Sequence, residues 1–267
     1  MKRKENYALV TGGTSGIGYE LVKLLAADGY NLVIVARHEN DLIRVANEIK
    51  ETYDVDVVLI AKDLFDPENA FELYNQVKTK NIRVEILIND AGQGLYGEFK
   101  DTDLRRELDI IHLNISSLVI LTKLFLKEMV ERKNGRIMNL SSIASKIPGP
   151  WQSVYHGTKA FVQSFTEAIR SEVKNSNVTI TALLPGATDT DFFNKAEMQE
   201  SKIVQEGKLD DAAEVAKDGY DAMMSGEDKV ISGFKNKIQV AMANVTPDSR
   251  AADKMKKQQA PTGSDSE

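Results

Sequence analysis

Tyr7-Ala-Leu-Val-Thr-Gly-Gly-Thr-Ser-Gly-Ile-Gly18 is the stretch whose reading decides the fold. An apolar run, Tyr7 to Val10, breaks at once into a glycine-rich segment from Thr11 to Gly18. An amphipathic helical pattern follows, with Ile17, Leu21, Leu24 and Leu25 on one face and Gly29 just past its end. Strand, glycine-rich turn and helix in this order set unsatisfied backbone N–H groups and the positive end of a helix dipole against a diphosphate. Glycine serves there because the backbone turns tightly and the ligand approaches with no Cβ in the way. The spacing is Gly-x-x-x-Gly-x-Gly, which is neither Gly-x-Gly-x-x-Gly nor a P-loop with its Gly-Lys-Ser/Thr. The phosphate contacts expected from this stretch are Gly12, Thr14, Ser15, Gly16, Ile17 and Gly18; a plain flexible loop is the alternative.

The pattern repeats along the chain. Asn31 to Ala36 is a nearly continuous apolar run, as for a strand covered on both faces. Arg37 follows directly, where a nucleotide fold discriminates the adenosine ribose. Arginine there favours a 2′-phosphate, an acidic residue the free hydroxyls; the other reading of Arg37 is a surface cation. Asn40 to Glu51 reads as a helix, Val55 to Ala61 as a strand ending at Asp63-Leu64, and Pro67 starts a helix to about Lys80. Val84 to Ile88 is a fourth strand, running into Asn89-Asp90-Ala91-Gly92, and Gly135 to Leu140 a fifth. Val178 to Leu184 is a sixth, ended by Pro185-Gly186 with Thr188 and Thr190 beyond, and Lys229 to Ser232 is a short seventh. Strands alternating with helices of ten or more residues imply a parallel sheet with right-handed crossovers. Its ligands then sit at the carboxyl ends of the strands, where each of these motifs falls.

After the fifth strand come Ser142, a Pro-Gly-Pro turn, and a helix from Tyr155 to about Lys174. Tyr155 and Lys159 are four residues apart and share a helix face. A phenol titrates near ~10 and is a poor acid at neutral pH, but a neighbouring cation stabilises the phenolate and moves it towards the working range. With Tyr155 as proton donor and Ser142 holding the oxygen, the site suits reduction of a carbonyl, provided a hydride carrier is bound. Alone, the Tyr-x-x-x-Lys spacing reads more simply as chance on a solvated helix. Asn114 lies in an apolar neighbourhood within the helical stretch Leu104 to Arg132. It either props a backbone irregularity or serves the site. His112 and His156 read as packing or surface residues. Asp191 to Lys208 reads as a lid or as a plain surface helix, and Asp210 or Asp211 caps a last helix to Met224.

The net charge of −6 argues against a nucleic-acid partner. Zero cysteines exclude disulfides, thiol catalysis and Cys-ligated zinc, and no metal site is expected. Lys2, Arg3 and Lys4 precede no apolar run of signal-peptide length. No uninterrupted run of ~18 apolar residues suggests a membrane span. The expectation is a cytoplasmic protein without membrane partners.

Taken together, Thr11-Gly-x-x-x-Gly-x-Gly18, Asp63, Asn89-x-Ala-Gly92, Asn114, Ser142, Tyr155-x-x-x-Lys159 and Pro185-Gly186 with Thr190 resemble the short-chain dehydrogenase/reductase family. The match covers roughly Asn6 to Gly233 and looks most like its bacterial NADP-dependent branch. The resemblance implies an α/β, single-domain Rossmann-like fold: a doubly wound, parallel seven-stranded sheet with helices on both faces. The resemblance further implies that Lys159 holds the nicotinamide ribose, that Asn114 supports a water chain, that Asp63 meets the adenine and Thr190 the carboxamide. The domain is expected at 1–246, with the substrate lid at about 191–208, and the polar composition beyond Pro247 reads as a partly disordered tail at 247–267. Leu64, Asn89, Ala91, Gly92, Pro185, Gly186 and Thr188 join the expected cofactor contacts. Asp90 departs from the usual Asn-Asn-Ala-Gly, and Gly157 stands where alanine is common.

The expected activity is NADP(H)-dependent hydride transfer between nicotinamide and a carbonyl or alcohol, with Tyr155 as general acid/base. The same chemistry with NAD(H), and a non-catalytic dinucleotide-binding regulator of the same fold, are the alternatives. Leu95, Tyr96, Ile143, Trp151, Phe192, Phe193 and Met198 are the expected pocket, for an apolar small molecule. A homodimer or homotetramer through helices 104–132 and 152–174 is what the family suggests.

Overall fold

The strands Tyr7–Thr11 (β1), Asn31–Ala36 (β2), Val57–Ala61 (β3), Val84–Asn89 (β4), Gly135–Leu140 (β5), Val178–Leu184 (β6) and Lys229–Ile231 (β7) form one sheet. Their order is β3-β2-β1-β4-β5-β6-β7 and every pairing is parallel. The structure is a computed structural model in which residues 6–262 are described; Lys2–Lys4 and the last five residues of the expected tail lie outside them. Strand order reverses between β1 and β4, and the crevice outside their carboxyl ends is where such a sheet binds ligands.

The helices Gly16–Ala27 (α1), Glu39–Thr52 (α2), Glu68–Thr79 (α3), Leu104–Ile111 (α4), Leu118–Glu131 (α5), Ser153–Glu172 (α6) and Ala212–Ser225 (α9) cover the sheet. Alternation along each strand divides the core. Ala8, Val10, Leu32 and Ile34 pack with Leu21, Leu25, Leu42, Ile49 and Met223 on one face. Leu9, Val33 and Val35 pack with Leu73, Val77, Leu121, Phe125, Met129 and Ile169 on the other. Burial on both faces is why β1 and β2 read as continuous apolar runs. Between α4 and α5 the chain makes a π-helical turn, His112–Ser117, so Leu104–Glu131 is one continuous rod. By length and composition that rod is apolar enough to cross a membrane, although it lacks the uninterrupted run sought in the sequence. Here its Leu121, Phe125 and Met129 are spent on the sheet.

The carboxyl-terminal part differs from the expected one. Asp211, not Asp210, caps α9, through Ala213 N–H and Glu214 N–H. The lid segment holds two short helices, Phe192–Lys195 (α7) and Lys202–Gln205 (α8). Beyond β7 the chain forms Phe234–Ala243 (α10) and then Asp248–Gln259 (α11), the latter where a polar, partly disordered tail was expected. Ala251, Met255 and Gln259 are spaced four apart, so a single buried stripe anchors an otherwise charged helix. Ala251 and Met255 pack on Ile147. The chain then pairs with the lid: Lys202 N–H donates to Ala260 O (3.1 Å) and Thr262 N–H to Glu200 O (2.8 Å). Residues 247–262 are therefore part of the folded body.

Candidate active site

A cavity of about 1170 Å³ opens at the carboxyl ends of the strands. It exceeds the ~300–1,000 Å³ of a drug-sized site, leaving room for a dinucleotide and a small substrate together. Its wall includes Gly12, Thr14, Ser15, Gly16, Ile17, Arg37, Asp63, Leu64, Ala91, Gly92, Ser142, Tyr155, Lys159, Pro185, Gly186, Thr188 and Thr190.

The glycine loop is held open by backbone geometry. Gly12 (φ +74°) and Gly16 (φ +56°) lie in the left-handed region. A Cβ on Gly12 would meet Asp90 Oδ2 at 2.8 Å, and one on Gly16 would meet Thr190 Cγ2 at 2.9 Å. Ser15 caps α1 with no side-chain hydrogen bond, and of the first-turn N–H groups that of Gly18 goes to Asp90, which leaves those of Gly16 and Ile17 with no side-chain acceptor among the described residues. That is the donor set a diphosphate needs. Across the loop the Arg37 guanidinium lies over the Phe65 ring, 5.3 Å from its centroid. Arg44 and Lys62 join this end of the cavity, and Arg44 Nη2 donates to Thr14 O at 3.1 Å. Arg44 escaped the sequence reading because it sits inside a helix of mixed charge; its place one turn beyond Asp41, beside the loop, is visible only in three dimensions. The residues present thus fit a nicotinamide dinucleotide.

Gly18 and Asn89 lie outside the cavity wall. Gly18 is buried in α1, where a Cβ would collide with Asp90 and with Gly12 O. Asn89 is buried beneath the site, where its Nδ2 donates to Thr122 Oγ1 (3.0 Å) and Asn139 Oδ1 (2.9 Å), tying β4 to α5 and β5. Both residues support the loops. Thr11 Oγ1 adds to this by accepting from Asp90 N–H (3.2 Å) and Ala91 N–H (3.1 Å).

At the other end Ser142, Tyr155 and Lys159 converge. Ser142 begins the 3-10 turn Ile143–Lys146 after β5, its Oγ accepting from Ala144 N–H at 3.1 Å. Its hydroxyl also hydrogen-bonds the Tyr155 phenol, which burial pushes up to about 12 while Ser142 pulls it back. Lys159 Nζ lies 5.7 Å from the Tyr155 ring centroid and donates to Leu140 O at 2.8 Å. Burial lowers this ammonium to about 8, opposed by the charge of Asp90. In the chain alone burial dominates, and Tyr155 stands as a protonated acid. Asn114, in the π-turn, is behind the wall. Its Oδ1 accepts from Gln93 N–H (3.0 Å) while its Nδ2 donates to Gln93 O (2.9 Å) and Thr158 Oγ1 (3.0 Å). It clamps the loop after β4 onto α6, so the backbone irregularity and the site are served together.

Asp90, where the family pattern has asparagine, accepts from Gly18 N–H and is raised to about 7, chiefly by burial; Lys159, Gly18 N–H and Lys195 oppose the rise. A carboxyl raised from its ordinary 3.8 to about 7 on folding stabilises the fold fully below its unfolded value, and that stability is lost as pH rises through 7. Asp90→Asn removes this loss. The stability advantage of the variant over wild type is expected to grow between about pH 5.5 and 7 by on the order of 1 kcal/mol per pH unit. Denaturant titration of both proteins across that range reads it, and a difference independent of pH would contradict the assignment.

Of the expected substrate pocket, Ile143, Phe192, Phe193 and Met198 line the cavity, and Leu95, Tyr96 and Trp151 do not. Tyr96 instead stacks on Trp151, with centroids 5.6 Å apart, and donates to Gln259 O, holding the carboxyl-terminal segment. His156 is a packing residue: Nδ1 donates to Ile147 O at 2.7 Å. Among the described residues no cluster of His, Cys, Asp or Glu is placed to hold a metal.

Residues 6–201 match the family model for short chain dehydrogenases. The chain belongs to the short-chain dehydrogenase family. Its relatives include the very-long-chain 3-oxoacyl-CoA reductase of Rattus norvegicus, 34% identical over 189 residues covering 68% of this chain and 59% of that one. The chain thus spans less than two thirds of that relative. Dehydrogenase/reductase SDR family member 7B of Mus musculus is 31% identical over 252 residues, 90% of this chain and 77% of that one. Among solved structures, a short-chain dehydrogenase from Sphingobium yanoikuyae in complex with NADPH superposes with a TM-score of 0.80 at 25% identity, over 93% of this chain and 99% of that one. The wall of glycine loop, cations and Ser-Tyr-Lys cluster suits the nicotinamide cofactor of that family.

Proposed function

We propose that the protein is an NADP(H)-dependent oxidoreductase interconverting a carbonyl and an alcohol, with Tyr155 as general acid/base. The observation that carries this reading is a single cavity with Ser142, Tyr155 and Lys159 at one end and Arg37 with Arg44 at the other. A bound nicotinamide supplies or accepts the hydride. Ser142 Oγ, already bonded to the phenol, holds the substrate oxygen, and Tyr155 Oη gives that oxygen its proton in reduction or takes it in oxidation. Lys159 carries the positive charge that stabilises the phenolate left behind. Arg37, backed by the Phe65 ring, pairs with a 2′-phosphate, which is the basis for preferring NADP(H) over NAD(H). Ile143, Phe192, Phe193 and Met198 suit a largely apolar substrate body.

Exposed Leu104, Leu108 and Phe161, on α4 and α6, support self-association through those helices, as a homodimer or homotetramer. A chain with no cysteine suits the cytoplasm. The activity is tested by following NADPH absorbance with a panel of aldehydes and ketones. Consumption dependent on the carbonyl compound is expected. Cofactor binding with no turnover across the panel would favour a regulatory dinucleotide-binding protein instead.

A further inference from the structure

The carboxyl-terminal helix, absent from the expected pocket, delivers a side chain into it. Gln259 is 3% exposed and lines the cavity together with Gln152, 4% exposed, from the turn preceding α6. Their hydrogen bonding is incomplete in a complementary way. The Ile147 carbonyl only accepts, so His156 Nδ1 must carry the proton it donates at 2.7 Å. Burial keeps this ring neutral by lowering its pKa, so its Nε2 is an acceptor. Gln259 Nε2 donates to it at 3.2 Å, which fixes the amide and leaves Gln259 Oε1 buried with no partner among the described residues. Gln152 Nε2 is likewise buried with no partner among them. It lies beside the catalytic tyrosine: a Cβ placed on Gly94 would sit 3.1 Å from Gln152 Nε2, 3.0 Å from the Phe192 ring and 3.4 Å from Tyr155 Cδ2.

A buried amide atom without a partner is costly, and of the buried side-chain atoms in that condition among the described residues, only those of Gln152 and Gln259 belong to residues lining the cavity, where a ligand can complete them. We propose that Gln152 Nε2 and Gln259 Oε1 form a substrate subsite, a donor and an acceptor that together recognise one neutral hydroxyl or amide group on an otherwise apolar carbonyl substrate. The class follows from the chemistry of the pair. An amide N–H matches a carbonyl or hydroxyl oxygen, and an amide oxygen matches an N–H or O–H. A neutral pair next to a neutral imidazole offers no charge to balance a carboxylate or an ammonium. The surrounding Ile147, Phe193, Met198 and Met255 suit the apolar remainder. A site that hydrogen-bonds a substrate group discriminates strongly against analogues lacking it, because its own polar atoms are then left unpaired.

This subsite rests on the carbonyl–alcohol reading above, and its test separates the two by reading binding apart from turnover. The probes are 4-acetamidocyclohexanone and 4-tert-butylcyclohexanone, matched in ring and similar in bulk, with affinities measured by ligand-observed NMR on the NADPH-loaded protein. The expected result is at least tenfold tighter binding of the acetamido compound. In Gln152→Met and, separately, Gln259→Met, both near-isosteric, that ratio falls to within about twofold of unity. Gln152→Met leaves the carboxyl-terminal helix anchored, so the test does not depend on Gln259→Met folding normally. Equal binding of the two probes by wild type, or an undiminished ratio in Gln152→Met, would overturn the proposal. A wild-type preference with no turnover of either probe would sustain the subsite and count against the hydride-transfer reading.

Discussion

Tyr155→Phe is expected to lower turnover of any carbonyl substrate by about 10²–10⁴-fold, the range over which a positioned acid or base contributes, with little change in NADPH affinity. Only the hydroxyl is removed, so the ring contact with Phe192 at 5.1 Å and the packing of α6 persist. The chemical reason is the single route for the proton. Ser142 Oγ has Ala144 N–H as donor, Pro185 O as acceptor at 3.4 Å and the phenol as its third partner, and its hydroxyl is too weak an acid to replace it. Lys159 Nζ is directed at Leu140 O. The phenol at about 12 is protonated at neutral pH, which is the form reduction requires. The readout is initial rate from NADPH absorbance beside cofactor affinity from fluorescence. Full turnover in the variant would mean that another group donates the proton. Loss of NADPH binding in parallel would mean that Tyr155 serves the cofactor rather than the substrate.

The second large effect is expected from Arg37→Asp, as a reversal of cofactor preference. A charge-assisted pair between a guanidinium and a phosphate contributes about 1.5–3 kcal/mol, roughly 10- to 150-fold in affinity. A carboxylate at the same place repels the 2′-phosphate and accepts from free ribose hydroxyls. NADPH should therefore bind the variant at least tenfold more weakly than wild type, while NADH gains. Arg44 and Lys62 remain in the cavity wall, so some attraction for phosphate persists and the loss should stop short of abolition. An unchanged ratio of NADPH to NADH affinity would remove Arg37 from the cofactor assignment.

What could be read in the sequence and what could not divide along physical lines. The strands of the sheet's interior were legible because burial on both faces leaves no polar position to obscure the run from Asn31 to Ala36. The turn after β1 was legible because left-handed φ at Gly12 and Gly16 demands glycine. Helix α11 was not, since three buried side chains, Ala251, Met255 and Gln259, anchor it within a charged segment, and one of the three is polar. The inward support given by Asn89 and Gly18 was not legible, because direction along the chain does not reveal which side of the loop a residue faces. Asn89 turns inward to Asn139 and Thr122, and Gly18 gives room to Asp90. The burial of Tyr155 was not legible for a related reason: spacing on a helix places a cation nearby, but it does not show how fully the phenol is desolvated. Arg44, Gln152 and Gln259 come to the cavity from three separated segments, and no local pattern marks them.

The crevice between Arg37 and Tyr155 is proposed as an NADP(H) site, and fluorescence titration of the purified protein with NADPH and, separately, NADH tests this. Saturable binding of NADPH at least tenfold tighter than NADH is the predicted result. Tighter binding of NADH would leave the fold standing and contradict the role given to Arg37. Binding of neither would contradict the account at its root, because the glycine loop, the cations beside it and the Ser142–Tyr155–Lys159 cluster are explained together only by a dinucleotide lying between them.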